Sequence, residues 1–174
     1  MSAPFGDLGP CDIEFDSTSL GATHATNFQH SEDTAPHHTA QHGTSPKDEY
    51  YVGSSCTVIT RMTESTIAQL NAVLSNGTVL GSELMIASNV GTSLRDSAAQ
   101  LVIKPYSSGT ASVDAATWIT VFVAAPRVEW DIVFDAATDR EYQVSFTGYQ
   151  ATSVPSGETY EIKDLFAIGY GETS

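Results

Sequence analysis

Cys11, Ile13 and Phe15 alternate with Asp12, Glu14 and Asp16, the period of two expected of a strand with one face buried and the other wet. Residues 17–21 then turn the chain, and 22–29, ATHATNFQ, are expected to return as the second strand of a hairpin. The stretch that follows, HSEDTAPHHTAQHGTSP (30–46), has almost no large apolar side chain. It cannot bury itself and is expected to project as a loop or long ribbon. A strand is expected from about Asp48 to Thr60, with Val52, Cys56 and Val58 on one parity. Thr63 is then placed to cap a helix over about 63–75, Glu64 suits its first turn, and Ile67, Leu70, Val73 and Leu74 repeat at helical spacing. Asn76-Gly77 ends it. Being amphipathic, this helix should lie against a sheet and cover it.

Further strands are expected at 84–87, 99–104, 118–124, 128–135 and 141–149, each bounded by Gly, Pro, Asn, Asp or Ser, with one more around Phe166, Ile168 and Tyr170. Along 128–134, Val128, Trp130, Ile132 and Phe134 share one face, while Glu129 and Asp131 take the other. The expected fold is mainly β: a β-sandwich or barrel with one amphipathic helix packed on it and a long projecting loop or ribbon, in a single domain over 1–174.

Length and charge narrow the picture. A chain of 174 residues can enclose a core without disulfides or a metal. Seven bases against 21 acids give a net charge of −14, which argues against direct binding to nucleic-acid phosphates or to an anionic membrane. The charge is uneven, since residues 1–46 contain six acids and no Lys or Arg. The start, MSAPFGDLGP, has no cationic or apolar run, and no stretch is long enough to span a bilayer. The expectation is a soluble protein made in the cytoplasm, with no membrane insertion. Cys11 and Cys56 sit among alternating residues and are read as buried thiols, not a disulfide.

Four of the five histidines lie in 30–46: His30, His37, His38 and His42. Imidazole is a common metal ligand, but no cysteine or carboxylate completes a familiar zinc spacing, and H-H-x-x-x-H differs from the H-x-H of a cupin site. Solvated or interface histidines are the favoured reading. A pH sensor stays open, because histidine titrates near neutrality and Glu32 and Asp33 are close in sequence. No G-x-S-x-G elbow, phosphate-binding glycine loop or C-x-x-C pair occurs. Glu129 and Asp131 invite a glycosidase reading, yet residues two apart on a strand merely share a face. Trp118 and Trp130 read as core or interface residues before sugar platforms. No catalytic residue, metal or cofactor is expected.

Three stretches carry a family resemblance: GDLGPCDIEFDSTSLGAT (6–23), QHGTSPKDEYYVGSSCTV (41–58) and ITVFVAAPRVEWDIVFDAATDREYQVSFTGY (119–149). In order, they resemble the first hairpin, the end of the projecting loop and the closing strands of the major tail tube proteins of long-tailed, siphovirus-like bacteriophages. Gly43, Thr44, Pro46, Asp48 and Gly53 match the family's Gly-Thr-x-Pro, acidic residue and glycine where the chain re-enters the sheet. The helix falls where the family has one. The loop histidines depart from the family pattern.

The resemblance implies a virion protein, made in the host bacterial cytoplasm, that closes into hexameric rings stacked as a tail tube for DNA ejection. It implies no catalytic residues. Its partners would be itself and the tape measure, tail terminator and distal tail proteins, while the genome passes without specific binding. Under this reading the inter-subunit arm comprises His30, Glu32, Asp33, His37, His38, His42, Gly43 and Pro46. Asp12, Glu14, Asp16, Glu129 and Asp131 are the candidate lumen-facing acids, chosen by strand parity. Two alternatives remain: another virion β-protein, such as a capsid decoration or tail-end protein, or a carbohydrate-binding β-sandwich.

Overall fold

The computed structural model describes residues 10–37, 48–107, 109–130, 141–156 and 158–171. In chain order the elements are β1 (Cys11–Phe15), β2 (Thr18–Ser19), β3 (Ala22–His37), β4 (Asp48–Glu64), α1 (Ile67–Ala72), β5 (Gly77–Leu80), β6 (Glu83–Ile86), β7 (Ala99–Ser107), β8 (Thr110–Ala111), β9 (Ile119–Trp130), β10 (Tyr142–Gly148) and β11 (Phe166–Ile168). The chain is mainly β, as its alternation predicts. One large antiparallel sheet runs β2-β1-β7-β9-β10-β4-β3, with β11 beside β9 and β8 beside β7, while β5 and β6 form a separate hairpin.

β1 ends in a tight turn. Phe15 pairs with Thr18, and both intervening residues, Asp16 and Ser17, have positive φ. A two-residue turn of this kind follows the twist of the strands it joins. The return is only β2, two residues long. The expected hairpin partner, 22–29, instead begins β3 and pairs with β4, while β1 takes β7 as its main neighbour. The reason is apolar content: between Ala22 and His37 only Phe28 is a large apolar residue, so local pattern could not say which strand β3 would join.

The sheet curls around its core. Phe15 on β1 and Phe146 on β10 meet at 5.2 Å between ring centroids, although β7 and β9 separate their strands in the sheet. Ile13, Val58, Met62, Leu101, Val121 and Val144 complete that inner face. Each such side chain contributes about 1.5–3 kcal/mol when fully buried. Thr60, also buried there, shares a hydroxyl hydrogen bond of 2.9 Å with Thr26, which meets the cost of placing a polar group inside. At the rim the Thr23 hydroxyl donates to the Cys11 carbonyl at 3.1 Å. Among the described residues no backbone ladder joins β1 to β3, so the expected barrel is not closed.

β9 corrects another expectation. Ala125-Pro126-Arg127 was expected to separate two strands, yet one strand runs through it. β7 pairs with β9 only as far as Ala124, so Pro126 has a ladder on the β10 side alone, and a missing N–H is tolerated at such a local edge. Between the pairs Ala99↔Ala124 and Leu101↔Val121, β7 advances two residues and β9 three. This bulge shifts the inward parity from Ile119 and Val121 to Ala124 and Val128. Phe122, on the other face, is covered by the C-terminal segment: Tyr160 stacks on it at 4.2 Å and Tyr170 meets it edge-on at 5.0 Å.

The helix is shorter than expected and starts later. β4 continues to Glu64 because Met62 pairs with Tyr142 and Glu64 with Ala22. Thr66, not Thr63, is therefore the cap, in a reciprocal box with Gln69. The Gln69 side chain also donates to the Ser19 carbonyl at 3.2 Å, tying α1 to β2. Leu70 and Val73 are buried, with Val73 in the core cluster, but Ile67 is exposed.

Candidate interaction surface

The strands β3 and β4 remain paired far beyond the body. β10 last pairs with β4 at Thr147↔Thr57, whereas β3 and β4 stay paired out to His37↔Asp48, with one register shift between Asp33 and Thr34. Ser31–His37 and Asp48–Ser55 thus form a two-stranded ribbon with no strand paired on either outer edge among the described residues. Its root is held by Phe166 of β11, which meets Phe28 at 5.1 Å and His30 at 5.0 Å. A groove of about 440 Å³ opens at the same root, lined by Phe28, Gln29, His30, Ser31, Ser55 and Thr57.

Along the ribbon the side chains are almost all exposed. Asp33 faces Gly53 and Thr34 faces Tyr51, so Val52 is an extra residue on β4. Val52 was expected on the buried parity with Cys56 and Val58. It is 66% exposed instead, and Tyr51 is 62% exposed, because the body no longer lies beneath the strand there. Tyr50 rests edge-on to His37 at 5.8 Å. Glu32, Asp33, Asp48 and Glu49 make the described part of the ribbon acidic, with no Lys or Arg.

Of the residues assigned to the arm, His30, Glu32, Asp33 and His37 lie on β3 and are exposed. His38, His42, Gly43 and Pro46 lie outside the described residues. The remaining histidine, His24, is 3.5 Å from Glu141, which Arg61 also reaches at 3.3 Å. Among the described residues no group of three or more His, Cys, Asp or Glu could hold a metal.

Of the five candidate lumen acids, Asp12, Glu14 and Glu129 lie on described strands, on the face of the sheet opposite the core. Asp12 accepts a hydrogen bond from the Ser19 hydroxyl at 3.0 Å. Glu14 is 2.5 Å from Lys104, whose ammonium sits 4.4 Å over the Trp118 ring. Glu129 lies 4.0 Å from Arg127 and accepts from Gln143. Asp16 belongs to the turn, where strand parity no longer applies. Asp131, like Ile132 and Phe134, is outside the described residues. The wet face therefore interleaves acids with paired bases.

Trp118 donates its indole N–H to the Ser112 carbonyl at 2.8 Å, and Trp130 meets Tyr142 edge-on at 5.4 Å. Cys11 and Cys56 are free thiols. Burial pushes both above their ordinary range; a hydrogen bond with Thr26 opposes this at Cys11 and one with the Gly148 backbone opposes it at Cys56.

Sequence reasoning missed a second exposed surface. It marked 84–87 as a strand without its partner, Gly77–Leu80. Leu80, Met85 and Ile86 of that hairpin are 57%, 48% and 56% exposed. The available signal was Gly81-Ser82 between two short apolar runs, the mark of a two-residue hairpin turn.

No protein-family model matches the chain, and no curated protein matches it.

Proposed function

We propose that this chain is a virion structural protein of a long-tailed bacteriophage, one that assembles with copies of itself into hexameric rings stacked as a tail tube. The observation that carries this reading is the β3–β4 ribbon, two strands long enough to reach well past the body and left, among the described residues, with unpaired edges on both sides. An isolated two-stranded ribbon is marginal in water, and this one buries too little apolar surface to offset its ordering entropy. Exposed strand edges invite a further strand. In a virion assembly a neighbouring copy supplies it.

The resemblance of three ordered segments to tail tube proteins supports the same reading, and the charge is compatible with it. A bore lined by the Asp12, Glu14 and Glu129 face would repel passing DNA, so the polyanion would slide without adhering. The tape measure, tail terminator and distal tail proteins are the further partners this role entails.

The test is a register-matched truncation. Glu32 pairs with Ser54, so replacing residues 32–54 by Asn-Gly joins Ser31 to Ser55 through a two-residue turn. Negative-stain microscopy of concentrated wild-type protein is expected to show long hollow tubes, and the truncated protein should stay a folded monomer. Tubes from the truncated protein would remove the ribbon from the assembly. Wild-type rings or monomers without tubes would favour a decoration or tail-end protein, and a glycan-dependent fluorescence change would favour a carbohydrate-binding module.

A further inference from the structure

Four of the five histidines share one short stretch, residues 30–49, with four acids. On the described strands these are His30, Glu32, Asp33 and His37 of β3 and Asp48 and Glu49 of β4, all exposed, with no Lys or Arg over 30–37 or 48–55. The ladder sets both histidines among the acids. His37 pairs with Asp48 and meets the Tyr50 ring edge-on. His30 shares a face with Glu32, lies opposite Cys56, and sets its ring against Phe166 of β11, a strand with no charged residue. Asp164, just before β11, is turned to the Glu161 N–H at 2.7 Å. By sequence, residues 38–47 add His38, His42 and Lys47 and no acid.

We infer that the ribbon is a pH-operated contact: protonation of its histidines strengthens the association of copies of this chain. The inference rests on the self-assembly reading and adds what regulates it. With neutral histidines the described ribbon carries −4, and it approaches copies of a chain whose net charge is −14, so like charges oppose the contact. Histidine titrates near neutrality, whereas ordinary carboxylates stay ionised down to about pH 4. Protonating His30 and His37 takes the described ribbon from −4 to −2, and the one histidine elsewhere in the chain is His24. The change of charge is thus concentrated on the element that makes the contact. Its sign follows from linkage. An acidic neighbour favours the charged imidazole, so association takes up protons and strengthens as pH falls through histidine's range.

The experiment is sedimentation velocity of the full chain at low salt, at about pH 7.5 and about pH 5.5. Wild type should associate about tenfold more tightly at the lower pH, and the gain should shrink at high salt as the ribbon's charges are screened. A variant combining His30→Gln, His37→Gln, His38→Gln and His42→Gln should keep less than about twofold of that gain. This variant approaches the same isoelectric region as wild type, so a gain from general loss of charge would survive in it. His24→Gln, which changes the histidine beside Glu141 on the body, should retain the full gain. Circular dichroism checks folding. Because His30 packs on Phe166, the triple variant at 37, 38 and 42 replaces the fourfold one should the latter fail to fold, and it should lose more than half of the gain on a logarithmic scale.

Wild-type association that is equal at the two pH values, or a gain that survives in the folded variant, overturns the switch and leaves the assembly reading standing. If the gain depends on the ribbon histidines but wild type makes only open fibres, the switch stands and the tube reading fails. A wild-type monomer at every pH and concentration overturns both.

Discussion

One pair of strands, β3 and β4, lives in two environments. From Thr23 to His30, β3 borders a stretch of β4 whose Cys56, Val58, Thr60 and Met62 are buried. From Ser31 to His37 the same ladder continues, yet its side chains are exposed. The hydrogen-bond pattern barely changes across the boundary. What changes is that β10 ends at Gly148 and the core ends with it. Backbone pairing can define a ribbon's shape, but burial supplies most of the free energy that holds a strand in place. The lower half is therefore held by burial within the chain, whereas the upper half has backbone pairing without that burial.

The sharpest way to break this comparison is to truncate one residue in each half. Phe146→Ala should cost about 3–5 kcal/mol in urea unfolding, because a fully buried ring facing Phe15 is lost. Tyr51→Ala should change the same measurement by less than about 0.5 kcal/mol. Comparable losses would mean that the ribbon is part of the monomer's cooperative unit.

The boundary itself can be tested at Gly148. A Cβ there would lie 2.1 Å from the Cys56 sulfur and 3.1 Å from Val121. Gly148→Ala should destabilise by about 1–3 kcal/mol through overpacking. Combined with Cys56→Ala, which removes that sulfur, the loss should be smaller than the sum of the two single losses, a coupling read from a double-mutant cycle. Additive losses would show that the two strands do not meet as closely as described.

Thr66→Ala should cost about 1 kcal/mol by removing the side-chain acceptor from the start of α1. Thr63→Ala tests the rejected cap and should leave that helix end intact, although it loses a hydrogen bond to the Ala22 carbonyl. A helix melted by Thr63→Ala and not by Thr66→Ala would reverse the assignment.

The smallest effect is expected from pH. Both thiols are raised in the folded protein, chiefly by burial, so their contribution is intact below the unfolded value near 9.0. Above it the unfolded chain releases these protons first, and stability falls as pH rises towards the folded values. Between pH 9 and 10.5 the melting temperature of a Cys11→Ala, Cys56→Ala double variant should decline less steeply than that of wild type. Parallel declines would show that the thiols are not desolvated.

The parts of the fold that were legible in sequence are those where one strand reports its own burial. Alternation at 11–16 and 141–149 marked β1 and β10, and Phe166 and Ile168 marked β11. The lack of large apolar residues in 30–46 indicated a projecting ribbon, of which His30, Glu32, Asp33 and His37 are described. The β9 bulge was hidden because it depends on the unequal spacing of two strands. The exposed hairpin was hidden for a different reason: Leu80, Met85 and Ile86 look like core residues in any local window, and only their position in space leaves them uncovered.

Composition and local pattern by themselves determined the β class, the acidic balance, the inward face of β1 and the segment that cannot bury itself. Those properties follow from single side chains and their immediate neighbours. Tertiary structure alone decided that β3 joins β4, that Thr66 caps the helix and that the core stops where β10 stops. Each of these turns on hydrogen bonds and packing between residues far apart in the chain, and such partners leave no local trace.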